Sequence, residues 1–130
     1  MKLRIRGNSI RFRLSRTEVS QFATTGSIED TVEFGPSEQS LTYRIRTTNE
    51  NETMAATFAD NCLCVFVPKL FAESWINSEQ VGIEAAQRLD DSKSLRILVE
   101  KDFACLIERD DEDETNAFPN PRAAATDSES

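Results

Sequence analysis

The fold is decided first by residues 2–14, KLRIRGNSIRFRL, in which charged and apolar residues alternate on both sides of Gly7-Asn8. Alternation with a period of two is typical of half-buried strands. The Gly-Asn dipeptide tolerates the positive φ that a tight hairpin turn requires. The pattern therefore predicts a two-residue β-hairpin. Its core side would hold Leu3, Ile5, Ile10 and Phe12.

The other face of this hairpin would carry only basic side chains, namely Lys2, Arg4, Arg6, Arg11 and Arg13. Its register places Arg4 opposite Arg11 and Lys2 opposite Arg13, and like charges directly across a strand pair are destabilising. Something must neutralise this face, and an anionic ligand would do so. The guanidinium groups suit bidentate recognition of oxyanions. Two further arginines would extend the surface if their strand were adjacent, Arg44 and Arg46.

Two other sources of negative charge lie in the same chain. The first consists of acidic residues on or beside predicted strands, which are Glu33, Glu84, Glu100 and Asp102. The second is the acidic block at residues 108–114, which would fold over the basic face as a screen. Residues 1–46 hold eight Lys and Arg against five Asp and Glu, whereas the rest of the chain holds seven against 18. This asymmetry fits either a basic surface that faces a partner or pairing between the two parts.

Composition narrows the class of partner. The net charge of −8 and the lack of aromatic residues on the basic face argue against nucleic acid. The remaining candidates for the partner are an anionic small molecule and an acidic protein. No apolar run approaches the roughly 20 residues of a membrane span. The start of the chain alternates charged and apolar residues and is no targeting peptide, so we expect a cytoplasmic protein. The sequence leaves the oligomeric state open.

The remaining pattern predicts an α+β fold with a mainly antiparallel sheet of about seven strands and two short helices. Ser15 and Glu18 form a capping box that starts the first helix, which ends at Gly26. Predicted strands at 41–48, 53–58 and 62–67 form an antiparallel meander, and the run CLCVFV at 62–67 is apolar enough to be a central strand. Whether the sheet closes into a barrel stays open.

The second helix is expected after Pro68, a residue suited to the first turn. Its apolar stripe would contain Leu70, Phe71 and Trp75. We expect one domain over residues 1–108. The acidic residues 109–130 that follow form a largely disordered tail, because a block of like charges cannot bury enough surface to fold. Within it, the segment 118–121, FPNP, is a candidate for docking back onto the domain.

Cysteine and histidine usage points away from catalysis and metal binding. Cys62 and Cys64 are two residues apart, so in a strand they lie on one sheet face. We interpret these two and Cys105 as packed free thiols of a protein in a reducing compartment. The chain contains no histidine, so it lacks the commonest general base and the usual companion of cysteine at zinc sites. The sequence therefore indicates neither a metal site nor a cofactor.

We expect a non-enzymatic binding or interaction module, with the basic hairpin as its contact surface. The alternative is a metal-dependent phosphate-ester or triphosphate hydrolase. That enzyme would combine the same arginines with Glu84, Glu100 and Asp102 around a Mg²⁺ ion. It requires arginines and at least two carboxylates to converge in one pocket, whereas a binding module needs only an open basic face.

Three segments in order, MKLRIRGNSIRFRLSRTEV at 1–19, ILVEKDFACL at 97–106 and FPNP at 118–121, resemble a family of small bacterial proteins of unknown function. The resemblance covers most of the chain. It implies a bacterial cytoplasmic protein that forms a domain by itself. It carries over no activity, cofactor or catalytic residue, because that family has none assigned.

Overall fold

The computed structural model describes residues 1–50 and 52–103. Within them the chain forms eight strands and two helices. The first half contains β1 (Lys2–Arg6), β2 (Ser9–Leu14), α1 (Arg16–Thr25), β3 (Ser27–Glu33) and β4 (Ser40–Thr48). The second contains β5 (Ala55–Ala59), β6 (Cys62–Pro68), α2 (Lys69–Ile76), β7 (Gly82–Arg88) and β8 (Ser94–Lys101). The expected tail at 109–130, the 118–121 segment and Cys105 lie outside the described residues.

The described strands form two four-stranded mixed sheets. Sheet A has the order β1-β2-β8-β7, and sheet B has the order β3-β4-β6-β5. The two central strands of each sheet are parallel, and every other pair is antiparallel. The α+β class with two helices is confirmed. The prediction of one mainly antiparallel sheet of about seven strands is only partly right. Four of the six described strand pairs are antiparallel, but the described strands number eight and form two sheets. The expected antiparallel meander of strands 41–48, 53–58 and 62–67 is wrong, because β4 pairs directly with β6 and β5 lies at the sheet edge.

The first hairpin forms in the predicted register, with Arg4 opposite Arg11 and Lys2 opposite Arg13. Gly7 has φ 56° and begins the turn, which is the left-handed conformation that glycine adopts without a steric cost. On the core side, Phe12 is fully buried. Ile5 faces the same side but is 63% exposed, because β1 is an edge strand and its turn end extends past the core.

The capping box is confirmed at α1. The Ser15 hydroxyl accepts from the Glu18 N–H, and the Glu18 carboxylate accepts from the Ser15 N–H at 2.8 Å. Gly26 ends the helix with φ 77°. Helix α2 follows Pro68 as predicted, but its stripe is different. Trp75 is fully buried while Leu70 is 78% exposed, since the buried face is set by Ala72 and Trp75 three residues apart.

The core lies between the two sheets and is closed by the helices. Phe12 of sheet A approaches Tyr43 of sheet B, with ring centroids 6.4 Å apart. Each helix connects one sheet to the other, and the two meet through Phe22 and Trp75 in an edge-to-face contact at 6.4 Å. The Trp75 indole N–H donates to the Val81 carbonyl at 2.9 Å, so this buried polar atom has its partner.

The order of elements reveals an internal duplication that the sequence analysis missed. A hairpin, a helix and a second hairpin occur twice, and the same correspondence converts sheet A into sheet B. Details repeat as well. The Arg96 N–H donates to the Asn8 carbonyl at 3.1 Å, and the equivalent Thr42 N–H donates to the Asn61 carbonyl at 2.9 Å. The molecule is therefore two intertwined ββαββ units with approximate twofold symmetry.

The sheets do not close into a barrel, but their edges meet where β5 approaches β7. The Gln87 side chain joins this seam, because its amide nitrogen donates to the Ala56 carbonyl at 3.0 Å and its oxygen accepts from the Ala56 N–H at 2.6 Å. The equivalent position in the first unit is Val32 of β3, whose side chain makes no hydrogen bonds. The twofold symmetry is therefore broken at the sheet edges.

Replacing Gln87 with valine, the residue found at the equivalent position of the first unit, is expected to lower the free energy of unfolding by about 1–3 kcal/mol. Ala56 would keep a buried N–H and C=O without their partners. Urea denaturation measures the change. The matched control is Val32→Gln, an exposed site expected to change stability by less than about 0.5 kcal/mol. Wild-type stability of Gln87→Val would show that the seam adds nothing.

Candidate functional site

The outer face of sheet A, which points away from the core, collects the basic residues of the first hairpin. Side chains line up across the four strands in rows that follow from the register. One row runs from Arg4 through Arg11 and Leu98 to Glu84. The next runs from Lys2 through Arg13 and Glu100 to Gly82, and a third begins with Arg6, Ser9 and Arg96. The parallel pairing of β2 with β8 thus places acidic side chains beside the basic hairpin.

Ion pairs neutralise part of this face. Arg13 Nε lies 2.6 Å from Glu100 Oε1, and Arg11 Nε lies 3.6 Å from the same oxygen. Lys2 Nζ lies 3.1 Å from Asp102 Oδ2. At the far side of the sheet, Arg96 Nη2 lies 2.6 Å from Glu84 Oε1. Internal countercharge from Glu84, Glu100 and Asp102 is therefore present, whereas Glu33 lies on sheet B and takes no part.

Among the described residues, this face carries more basic than acidic side chains. Six basic side chains occupy the central part of the face, and they are Lys2, Arg4, Arg6, Arg11, Arg13 and Arg96. Three acidic side chains of the described residues lie among them, Glu84, Glu100 and Asp102. Arg88 at the margin is paired with Asp91 of the next turn. Because these acidic side chains lie on β7, on β8 and directly after β8, the positive charge is concentrated on β1 and β2.

A shallow groove crosses this face between the basic hairpin and the opposite edge. Its volume is about 230 Å³, and its polar lining includes Ser9, Arg11, Glu84 and Arg96. Binding pockets for drug-sized molecules usually have roughly 300–1,000 Å³. The groove therefore has the size of a socket for one side chain or a small anion.

Arg44 and Arg46 do not extend this surface, because β4 belongs to sheet B. They lie on the outer face of that sheet, in a separate open cleft of about 450 Å³ that also contains Cys62 and Cys64. Arg44 Nε is 2.7 Å from Glu29 Oε1 of β3. The seven basic residues singled out from the sequence thus divide into five on sheet A and two on sheet B. Sequence reasoning also missed Arg96, whose strand partner could not be known.

The two described cysteines, Cys62 and Cys64, are free thiols. Both lie on the outer face of β6, so they share one face of the sheet as predicted. Cys64 is buried, and burial, followed by the neighbouring Cys62, raises the pKa of its thiol. A thiol with a raised pKa is a poor nucleophile. Over residues 1–50 and 52–103, no group of three or more Cys, Asp or Glu side chains is arranged to hold a metal ion.

A family model described as a family of unknown function, DUF7009, matches residues 1–122. The chain belongs to the DUF7009 family. The resemblance noted from the three sequence segments is thereby confirmed at the level of the family. No curated protein and no solved structure matches the chain. Among the helices described for this DUF7009 protein, none is long and apolar enough to span a membrane.

The DUF7009 chain anchors the beginning of β1 through its amino group. The Met1 ammonium donates to the Glu18 carboxylate of α1 and, at 3.2 Å, to Asp30 Oδ2 of β3. Burial lowers the pKa of this amine, but the hydrogen bonds to Glu18 and Asp30 outweigh it and raise the pKa above 8.0. Burial likewise raises the pKa of Glu18, yet the hydrogen bonds from Met1 and Ser15 lower it below 4.5 overall.

This anchor should make stability depend on pH in two ranges. The contribution of Glu18 is complete above about pH 4.5 and is lost as pH falls through its lowered folded pKa. The contribution of the Met1 amine is complete below about pH 8 and is lost as pH rises through its raised folded pKa. Glu18→Gln is therefore expected to flatten the acid limb of a plot of Tm against pH and to weaken the alkaline limb.

The matched control for this measurement is Glu33→Gln on β3, a carboxylate that forms no ion pair with the described residues. Its plot of Tm against pH should follow that of the wild type. An acid limb that is unchanged in Glu18→Gln would contradict the assignment of the anchor.

Proposed function

We propose that the protein is a non-enzymatic binding module that holds an acidic protein segment on the outer face of sheet A. The observation that carries this is the imbalance, among the described residues, of six basic against three acidic side chains in the central part of that face. The imbalance is local, because residues 1–50 and 52–103 together hold 13 Lys and Arg against 15 Asp and Glu. Like charges gathered against the sign of the whole molecule attract and orient an oppositely charged partner.

The shape of the face favours a macromolecular partner over a small molecule. The groove of about 230 Å³ is too small to enclose a cofactor, but it fits one inserted acidic side chain beside Arg11 and Arg96. Arginine predominates among the basic groups, and its planar fork binds carboxylates in a bidentate manner. A broad, open sheet face with one socket therefore suits a partner that lies across several strands.

The hydrolase alternative receives no comparable support. It needs Glu84, Glu100 and Asp102 to gather around a shared position. In the structure these carboxylates lie on an open sheet face, and each is bonded to different basic side chains. The distribution of charge is the one expected for a contact surface.

Removing two charges from the face tests the proposal directly. Arg4→Gln/Arg6→Gln is expected to weaken binding of a fluorescently labelled oligoglutamate by roughly three- to thirtyfold at low salt, since each exposed ion pair contributes about 0.3–1 kcal/mol. Fluorescence anisotropy measures the affinity. The matched control, Arg44→Gln/Arg46→Gln, removes the same charge from sheet B and should leave the affinity nearly unchanged. Equal losses in the two variants would mean that only net charge matters, and the proposal would fail.

Removing an acid from the face should have the opposite effect. Glu100→Gln frees Arg11 and Arg13 from their shared carboxylate, so the oligoglutamate is expected to bind roughly two- to tenfold more tightly. The control is Glu29→Gln, which frees Arg44 on sheet B and should not affect binding. Unchanged affinity in Glu100→Gln would show that these two arginines do not contact the partner.

A further inference from the structure

The edge of β1 offers backbone hydrogen-bonding groups next to the basic face. In a two-residue hairpin the pair that flanks the turn exchanges both backbone hydrogen bonds, and so does every second pair along the strands. Here those pairs are Arg6 with Ser9, Arg4 with Arg11 and Lys2 with Arg13. The N–H and C=O groups of Leu3 and Ile5 therefore point away from β2, towards the outside of sheet A.

The second unit of the duplication shows how such an edge is covered. Ala56 of β5 is the counterpart of Leu3, and its outward N–H and C=O both bind the Gln87 side chain. The residue of the first unit that corresponds to Gln87 is Val32, which cannot form these bonds. In the described part of the chain, the outward groups of Leu3 and Ile5 have no hydrogen-bond partner. Gln87 caps the edge of β5, whereas no described residue caps the equivalent edge of β1.

The side chains of β1 define what can pair with this edge. Lys2, Arg4 and Arg6 lie on the outer face, and Ile5 lies on the inner side with 63% of its surface exposed. A strand added beside β1 would place alternate residues next to these two kinds of side chain, because successive side chains of a strand point to opposite faces. Acidic residues would lie beside the basic row, and apolar residues would cover Ile5.

A second copy of this chain is a poor occupant of the edge. Two β1 strands side by side would bring the Lys2, Arg4 and Arg6 rows of both copies together, and like charges across strands are destabilising. Charged residues on an edge strand protect proteins from pairing between copies. An acidic strand beside β1 would not meet this repulsion.

We infer that an extended segment of a partner protein, with acidic and apolar residues in alternation, binds by adding a strand to the β1 edge of sheet A. Backbone hydrogen bonds to Leu3 and Ile5 supply affinity in this mode, and the alternate side chains supply specificity. The inference rests on the proposed function, which requires only that the basic face bind an acidic partner, and it adds the geometry and the sequence pattern of that partner.

Two peptides of identical composition separate the inference from the proposed function. One alternates Glu and Val over eight residues, and the other carries the same residues as a Glu block followed by a Val block. The alternating peptide should bind the full chain at least tenfold more tightly than the block peptide. In the wild-type protein it should also slow amide hydrogen exchange at Leu3 and Ile5, as measured by NMR.

A proline substitution tests the edge itself. Ile5→Pro removes an outward N–H without breaking a bond to β2, and prolines are tolerated where an edge N–H faces solvent. This substitution should weaken binding of the alternating peptide at least tenfold. The matched control is Phe58→Pro, the equivalent position of β5, which should change the affinity less than twofold. The hydrogen-exchange measurement needs no substitution and decides the matter if Ile5→Pro does not fold.

The outcomes are distinct. If both peptides bind equally, depend on Arg4 and Arg6, and leave exchange at Leu3 and Ile5 unchanged, then strand addition is wrong and the proposed function stands. If neither peptide binds either the wild-type chain or the chain with residues 110–114 replaced by serine, both fail. If the alternating peptide binds only after residues 110–114 are replaced by serine in the full chain, the acidic residues of the chain itself compete for the edge. That result would overturn a partner segment as the occupant.

Discussion

The parallel pairing at the centre of each sheet is the constraint on which the rest of the structure depends. Parallel neighbours cannot be joined by a tight turn, so the chain must leave each sheet and return to it later. Here β2 is followed by α1 and then by sheet B, and β6 is followed by α2 and then by sheet A. The helices close the core because this route takes them from one sheet to the other. The pairing of β2 with β8 also places Glu100 beside Arg13 and Arg11. The Glu100 carboxylate thereby reduces the repulsion within the two rows of basic side chains to which these arginines belong.

The duplication explains how one molecule comes to have two different faces. The two ββαββ units share turns, core positions and strand order, but their outer faces have diverged. The positions of Arg11 and Arg13 on β2 correspond to Cys64 and Phe66 on β6, so only one of the two equivalent surfaces is strongly basic. The edges differ in the same way, since Gln87 caps one, whereas no side chain in the described part of the chain caps the equivalent edge of β1. Function in such a protein is expected where the copies differ, because the shared features are those that both units need to fold.

Local features of the fold were predictable from the sequence, and long-range ones were not. The register of the first hairpin followed from a two-residue turn and strict alternation, and the capping box at Ser15 followed from spacing alone. Alternation assigns side chains to faces but does not name the neighbouring strand. The predicted meander therefore failed at β4 and β6, and Arg44 and Arg46 could be placed on the right kind of face but not on the right sheet. The duplication escaped notice because corresponding residues differ in chemistry, as Glu18 and Phe71 do.

The composition of sheet A has a consequence for the synthesis of the protein. Sheet B is built from hairpins that follow each other in the chain, whereas sheet A joins the first hairpin to the last, with the whole of sheet B between them. Closing so long a loop carries an entropic cost that increases with its length, so we expect sheet A to assemble after sheet B. On the ribosome, the basic hairpin would emerge first, and β2 would have no parallel neighbour until β8 is synthesised. The arrangement of charge that we assign to partner binding would thus exist only in a chain in which β8 has been synthesised. Pulsed hydrogen exchange during refolding would reveal whether β1 and β2 are protected later than sheet B.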